Sequence, residues 1–360
     1  MNLFQALGRR ALFSLDPETA HGVSIMALKN GLLPPCPAVS DPRLAMNLAG
    51  LDFPNPVGLA AGYDKNAEVA DAILKLGFGF TEVGTITPRP QPGNPKPRLF
   101  RLIEERGVIN RLGFNNEGHA AALNRLEARR NRPGIAGVNI GANKDSEDFV
   151  ADYVQGVKTF SHLASYFTVN ISSPNTPGLR NLQAGEALER LLGEVFEARE
   201  TARRQPPVFL KLAPDLDKAA VQEIAKVINR TELDGVMISN TTLSRHGVEH
   251  HRHAGEAGGL SGQPLFERST VMLARFREAL DARFPLIGIG GVCDGKTAWA
   301  KFEAGASLVQ LYSCMVYEGP QIARGICRDL VARMDREAVS SIGEITGRKT
   351  AEWAARDLEN

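Results

Sequence analysis

The sequence predicts a (β/α)8 barrel of the TIM type, preceded by a small N-terminal two-helix extension. Three observations predict it. Short, nearly continuous apolar runs recur eight times after residue 57, which suits parallel strands buried on both faces. Longer helix-like stretches separate the runs, and Gly, Pro or Asn closes each one. The chain has 360 residues, enough for one barrel of about 250 residues with additions at its ends. Eight alternating units point to a closed barrel rather than an open sheet.

The extension is residues 1–40. Leu3, Phe4, Leu7, Ala11, Leu12 and Leu15 recur at roughly helical spacing, with Arg9 and Arg10 on the other side. Asp16-Pro17 then reads as an N-cap followed by proline at the first helical position. Val23, Ile25, Met26 and Leu28 give a second apolar helix, which stops at Gly31. Pro34-Pro35-Cys36-Pro37 is a linker. Such a pair either packs on the domain or lies on a membrane surface as a hairpin.

The barrel domain is residues 41–336. Its strands are expected at 57–61, 78–84, 135–140, 166–171, 208–212, 234–239, 286–290 and 307–312. The gaps after the second and the sixth strand are long, and long insertions at such places shape active sites. Residues 337–360 are charged and helix-prone, and read as a C-terminal appendage without an assignable function.

Composition narrows the partners. The 42 basic and 41 acidic residues leave a net charge of +1, which offers no electrostatic argument for nucleic acid. No apolar run approaches the roughly 20 residues that span a bilayer. The apolar stretch after Arg9 and Arg10 ends at Asp16-Pro17-Glu18, so no cleaved signal is expected. Cys36, Cys293, Cys314 and Cys327 form no C-x-x-C pair and no zinc spacing, and are expected as reduced thiols. His246, His250, His251 and His253 cluster in the gap after the sixth strand, where a solvated loop or a glycine-hinged lid is expected rather than a metal site.

Active sites of this fold lie at the C-terminal strand ends. Here those ends carry Ala61-Gly62-Tyr63-Asp64-Lys65, Gly84-Thr85, Asn139, Asn170 with Ser172 and Ser173, Lys211, Ser239-Asn240-Thr241, Gly290-Gly291 and Tyr312-Ser313. A ring of amides, hydroxyls and two lysines makes a polar cavity on an apolar scaffold. Gly290-Gly291 opens the backbone to an anion, Asp294-Gly295 starts a helix, and Tyr312-Ser313 adds donors before a helix near Gly319-Pro320. Loops after the last two strands are the usual phosphate site of the fold. Gly288-Ile289-Gly290-Gly291 alone is too weak for a dinucleotide fingerprint. Lys211 sits mid-barrel and requires an anionic partner. A flavin ring, a core carboxylate and a Schiff-base role all remain open for it.

Several long motifs resemble those of dihydroorotate dehydrogenases. They are Asn110-Arg111-Leu112-Gly113-Phe114-Asn115-Asn116, the run from Asn170 to Arg180 containing Ser172-Ser173-Pro174-Asn175-Thr176-Pro177-Gly178, and Ser239-Asn240-Thr241-Thr242. The stretches Gly84–Asn94 and Gly258-Gly259-Leu260-Ser261-Gly262 belong with them, and the resemblance spans about residues 5–335. It implies oxidation of dihydroorotate to orotate in pyrimidine biosynthesis, with FMN as cofactor and Ser173 as base. Serine rather than cysteine there, with the helical extension, resembles the quinone-dependent bacterial branch. The implied setting is the cytoplasmic face of the inner membrane, with ubiquinone and lipid as partners.

The resemblance also implies roles. Thr176 and Phe114 would hold a proton-relaying water beside Ser173. Asn110, Asn170, Asn175, Asn240 and Thr241, with Lys65 and the Arg111-Leu112-Gly113 turn, would bind the substrate. Ala60, Ala61, Gly62, Lys65, Thr85, Asn139, Asn170, Lys211, Ser239, Gly262, Gly290, Gly291, Tyr312 and Ser313 would bind FMN. No metal is implied. Competing readings are the same reaction with fumarate or NAD as acceptor, an aldolase using Lys65 or Lys211, and an inactive membrane-binding scaffold.

Overall fold

The computed structural model describes residues 12–183 and 185–358. Leu3, Phe4, Leu7 and Ala11 of the first predicted helix lie outside that range. The strands are β1 (Met46–Leu48), β2 (Leu51–Phe53), β3 (Val57–Asp64), β4 (Phe80–Ile86), β5 (Leu99–Leu102), β6 (Gly107–Asn110), β7 (Ile135–Ile140), β8 (Phe167–Asn170), β9 (Val208–Leu212), β10 (Gly235–Ile238), β11 (Gly259–Gly262), β12 (Leu286–Ile289) and β13 (Leu308–Leu311). The helices are α1 (Pro17–Lys29), α2 (Ala70–Leu74), α3 (Gly118–Ala128), α4 (Phe149–Phe160), α5 (Gly185–Glu200), α6 (Lys218–Ile228), α7 (Phe266–Ala279), α8 (Gly295–Glu303), α9 (Ser313–Glu318), α10 (Ile322–Glu337), α11 (Ile342–Ile345) and α12 (Thr350–Ala354).

All eight predicted barrel strands are present, as β3, β4, β7, β8, β9, β10, β12 and β13, and they close in parallel into one barrel. Its lower interior is filled by large rings facing glycines. A Cβ on Gly58, Gly137 or Gly235 would lie 2.3, 2.1 or 2.7 Å from Phe80, Tyr166 or Phe209. The rings meet edge to face, Tyr166 to Phe209 at 5.3 Å. Burying each is worth roughly 2–3 kcal/mol. Below them the β1–β2 hairpin closes the floor with Leu48 and Phe53, and Ala49 and Gly50 make its two-residue turn at positive φ. The sequence reading missed this hairpin, because three residues per strand carry almost no alternation. With the floor packed, polar residues collect at the open end.

The two long gaps meet each other. β5 and β6 come from the first and β11 from the second, and they form one antiparallel sheet in the order β11-β6-β5. The histidine cluster lies on a surface loop, with His246 and His250 exposed and His251 and His253 half-buried. His250 pairs with Glu105 at 2.9 Å, and His253 stacks on Phe100 at 5.1 Å. Arg245 donates to the carbonyls of Ala254, Glu256 and Gly258, pinning the loop. Among the described residues no group of His, Cys, Asp and Glu could hold a metal.

Residues 12–14 are helical, and α1 follows as predicted. Asp16 caps it by accepting from the Glu18 and Thr19 N–H groups at 3.0 and 3.1 Å. Ile25 and Leu28 are buried, whereas Val23, Met26 and Leu32 are exposed. No helix among the described residues is long and apolar enough to cross a membrane. The C-terminal segment, expected as an appendage, is stitched to the barrel. Trp353 meets Phe266 edge to face, Lys349 pairs with Glu303 at 3.0 Å, and the Gly347 N–H donates to the Phe302 carbonyl.

The expectation of four reduced cysteines is corrected. Cys36 and Cys327 are buried free thiols, but Cys293 and Cys314 form a disulfide, with Cα atoms 5.1 Å apart. They lie 21 residues apart, one strand–helix unit, and only the pairing of β12 beside β13 brings them together.

Candidate active site

A cavity of about 1570 Å³ opens over the strand ends and continues to α1. Its inner part is polar. Ser173, just beyond β8, is buried, and its hydroxyl accepts from the Asn175 N–H at 3.2 Å. Asn170 donates to Thr85 and Asn139, and its carbonyl oxygen accepts from the Ser172 hydroxyl at 2.8 Å. Asn240 donates to the Ser172 hydroxyl at 2.9 Å. Asn175 reaches the Asn110 carbonyl at 3.3 Å, which joins the β8 loop to β6. The sequence places these asparagines on four different segments, and barrel closure converges them. Held by one another, they present fixed donors and acceptors to a ligand.

Most predicted site residues line this cavity: Ala60, Ala61, Gly62, Lys65, Thr85, Asn110, Leu112, Gly113, Phe114, Asn170, Ser173, Asn175, Lys211, Ser239, Asn240, Thr241, Gly262, Gly290, Gly291, Tyr312 and Ser313. Three do not. Arg111 turns outward to Glu256 at 2.6 Å and stacks over Phe100, because the β10–β11 loop offers a carboxylate there. Asn139 is fully buried beneath the cavity and donates to Glu82 at 2.7 Å. Thr176 is buried with its hydroxyl unpartnered among the described residues. The helix expected near Gly319-Pro320 is α10, which begins at Ile322, and the short α9 (Ser313–Glu318) precedes it directly after β13.

Two lysines reach the inner cavity. Burial pushes Lys65 down to about 8, opposed by Glu18 and Asp64. Burial lowers Lys211 too, opposed by Glu82. No described side chain hydrogen-bonds the Lys211 ammonium, so it is free to face an anionic ring. Glu82 escaped the sequence reading, although an acid inside the apolar run Phe80–Val83 was a signal. It accepts from Asn139, Tyr166, Thr168 and Gln310 at 2.7–3.2 Å.

The outer part is apolar and built by α1 and the residues that flank it. Leu12, Phe13, Leu15, Pro17, Ala20, Val23 and Leu32 line it. His21 stands where the two parts meet, 3.2 Å from the Lys65 ammonium and 3.3 Å from the Tyr312 hydroxyl. Burial, then the Lys65 charge, pushes its pKa down to about 3, so it is neutral. Arg101 of β5 lies over the Phe13 ring and donates to the carbonyls of Leu12, Phe13 and Leu15. His21 and Arg101 also escaped the sequence reading, since neither follows a barrel strand.

A sequence model of the family described as dihydroorotate dehydrogenase matches residues 43–334. The chain is 59% identical over 362 residues to dihydroorotate dehydrogenase (quinone) of Brucella melitensis, with 99% of each chain covered. It is 60% identical over 359 residues to the protein of that name from Rhizobium rhizogenes, again covering 99% of each. Among solved structures it resembles ligand-free DHODH from Eimeria tenella, with a TM-score of 0.90 and 38% identity over 93% of this chain and 99% of that one. The ferulenol complex of that protein gives 0.89, also at 38% identity, over 93% of this chain and 96% of that one.

Proposed function

The chain belongs to the dihydroorotate dehydrogenase family, and from that membership we propose that it oxidises dihydroorotate to orotate with FMN as hydride acceptor and a membrane quinone as final oxidant. It is an oxidoreductase of pyrimidine biosynthesis. The observation that carries the finer reading is one cavity with two characters. Ser173 and the asparagine ring lie at its polar end, and α1 lines its apolar end.

The residues present fit FMN. Lys211 offers a buried ammonium without a hydrogen-bond partner among the described residues, and Gly262, Gly290 and Gly291 give a backbone cradle at positive φ. A Cβ on Gly291 would lie 2.4 Å from Phe266, so a side chain there would press the cradle apart. Those residues, with Thr85, Asn170, Ser239, Tyr312 and Ser313, would hold FMN, and Asn139 would brace Thr85 and Asn170 from below. When bound, FMN supplies the hydride acceptor.

The chain's own residues then do the rest. Asn110, Asn175, Asn240 and Thr241 read the amides of the substrate ring, and Lys65 meets its carboxylate. Ser173 takes the proton from the ring carbon. A serine hydroxyl is a weak base and must hand its own proton on. Thr176 and Phe114 fit that step, since an unpartnered buried hydroxyl is a place where a bridging water satisfies a polar atom. Quinone would reach the outer part past His21 and Arg101. Val23, Met26 and Leu32, exposed on and just after α1, suit peripheral contact with lipid at the cytoplasmic face of the inner membrane.

Ser173→Ala tests the base. Flavin reduction by dihydroorotate should slow at least about a hundredfold, the lower range for losing a general base. FMN and orotate should still bind. Near-normal reduction would assign the base elsewhere.

A further inference from the structure

Lys301 on α8 is fully buried and lies outside the cavity, behind the β12 loop. Its ammonium donates to the Ser269 hydroxyl at 2.6 Å and stands 5.5 Å from the Phe266 ring. Among the described residues it has no carboxylate partner. The charged groups on neighbouring elements are committed elsewhere: Glu303 to Lys349 and Arg333, Glu267 to Arg356, Asp329 to the Gly295 N–H, and Arg277 to the carbonyls of Leu280, Asp281 and Phe284. A buried cation without a counter-charge is costly, and burial alone holds this amine well below its ordinary range. Met or Leu would fill the space without that cost.

What Ser269 does next gives the lysine a direction. Accepting from Lys301 leaves its proton for a carbonyl, and Gly290 O lies 3.1 Å away, as does Phe266 O. In a trans peptide the N–H points opposite the C=O. The N–H of the same Gly290–Gly291 peptide belongs to Gly291, which lines the cavity and donates to no described residue. Ammonium, hydroxyl and peptide therefore form a chain of aligned dipoles ending in a bare donor at the cradle. Such chains polarise one another.

We propose that Lys301 is the buried cation of the phosphate subsite, a positioning residue that acts on the FMN phosphate through Ser269 and the Gly290–Gly291 peptide. This rests on the FMN reading above. In the flavin-free protein burial disfavours the charged form of the amine. The phosphate dianion draws a proton onto it, so binding of the phosphate and protonation of Lys301 favour each other.

The test titrates flavin-free protein with FMN and with riboflavin, which lacks the phosphate. Lys301→Met should weaken FMN by about tenfold or more, the scale of one charge-assisted hydrogen bond, and leave riboflavin within about twofold. Ser269→Ala keeps the amine but interrupts the chain, and should show the same selectivity; it decides the matter if Lys301→Met does not fold. Above pH 7, where the phosphate is already a dianion, wild-type affinity for FMN should fall with rising pH and that of Lys301→Met should stay flat. Equal losses for both flavins, or no loss for either, would overturn the proposal. A wild-type protein that binds neither flavin would overturn the cofactor reading and this inference with it.

Discussion

In the proposed reaction Ser173 is a hydroxyl asked to do a base's work, and its surroundings decide whether it can. It accepts one hydrogen bond from the Asn175 N–H and sits on the same loop as the unpartnered Thr176 hydroxyl. Lys65 offers a sharper test at this scale, because burial brings it down to about 8. Below that pH it carries the charge that an orotate carboxylate needs; above it the charge is lost. Orotate affinity of the free enzyme should therefore decline as pH rises through about 8. In Lys65→Met the dependence should vanish between pH 7 and 9, with binding about a hundredfold weaker, as expected when a charge-assisted bond in a dry site is removed. A pH-dependent Lys65→Met variant would assign the titration to another group.

At the scale of elements, α1 is held to the barrel by an ion pair as well as by its buried Ile25 and Leu28. Glu18 takes a bidentate bond from Arg98 at 2.7 and 3.1 Å, and Arg98 is only 7% exposed. Arg98 keeps the Glu18 carboxyl below its ordinary 4.5. That stabilisation is complete above pH 4.5 and is lost as pH falls through the lowered value. Glu18→Gln weakens the charge-assisted bonds to a buried guanidinium, at roughly 2 kcal/mol. Amide hydrogen exchange within α1 should then run roughly thirtyfold faster while the barrel amides keep their rates. Unchanged exchange in α1 would show that the pair is not its anchor.

For the whole molecule, the defining fact is that one cavity joins the strand ends to the N-terminal helices. A soluble acceptor needs no apolar arm, and a quinone does. Removing residues 1–36 should abolish quinone reduction while FMN stays bound. Quinone turnover at the full-length rate would sink the tunnel reading, and turnover with fumarate in the full-length protein would favour the soluble-acceptor alternative.

The sequence by itself determined the barrel and which residues stand at its strand ends. Eight apolar runs at a regular spacing admit few other folds, and strand ends are local features, so Ser173, Lys211 and Gly290-Gly291 were legible in one dimension. Tertiary structure decided whatever depends on contact between distant segments. It paired Cys293 with Cys314 and joined β6 to β11. It turned Arg111 to Glu256, and it brought His21 to Lys65 across 44 positions. Glu82 and Lys301 show the same limit. Each reads as an ordinary charge until closure of the barrel removes water and leaves it facing the partners that give it a role.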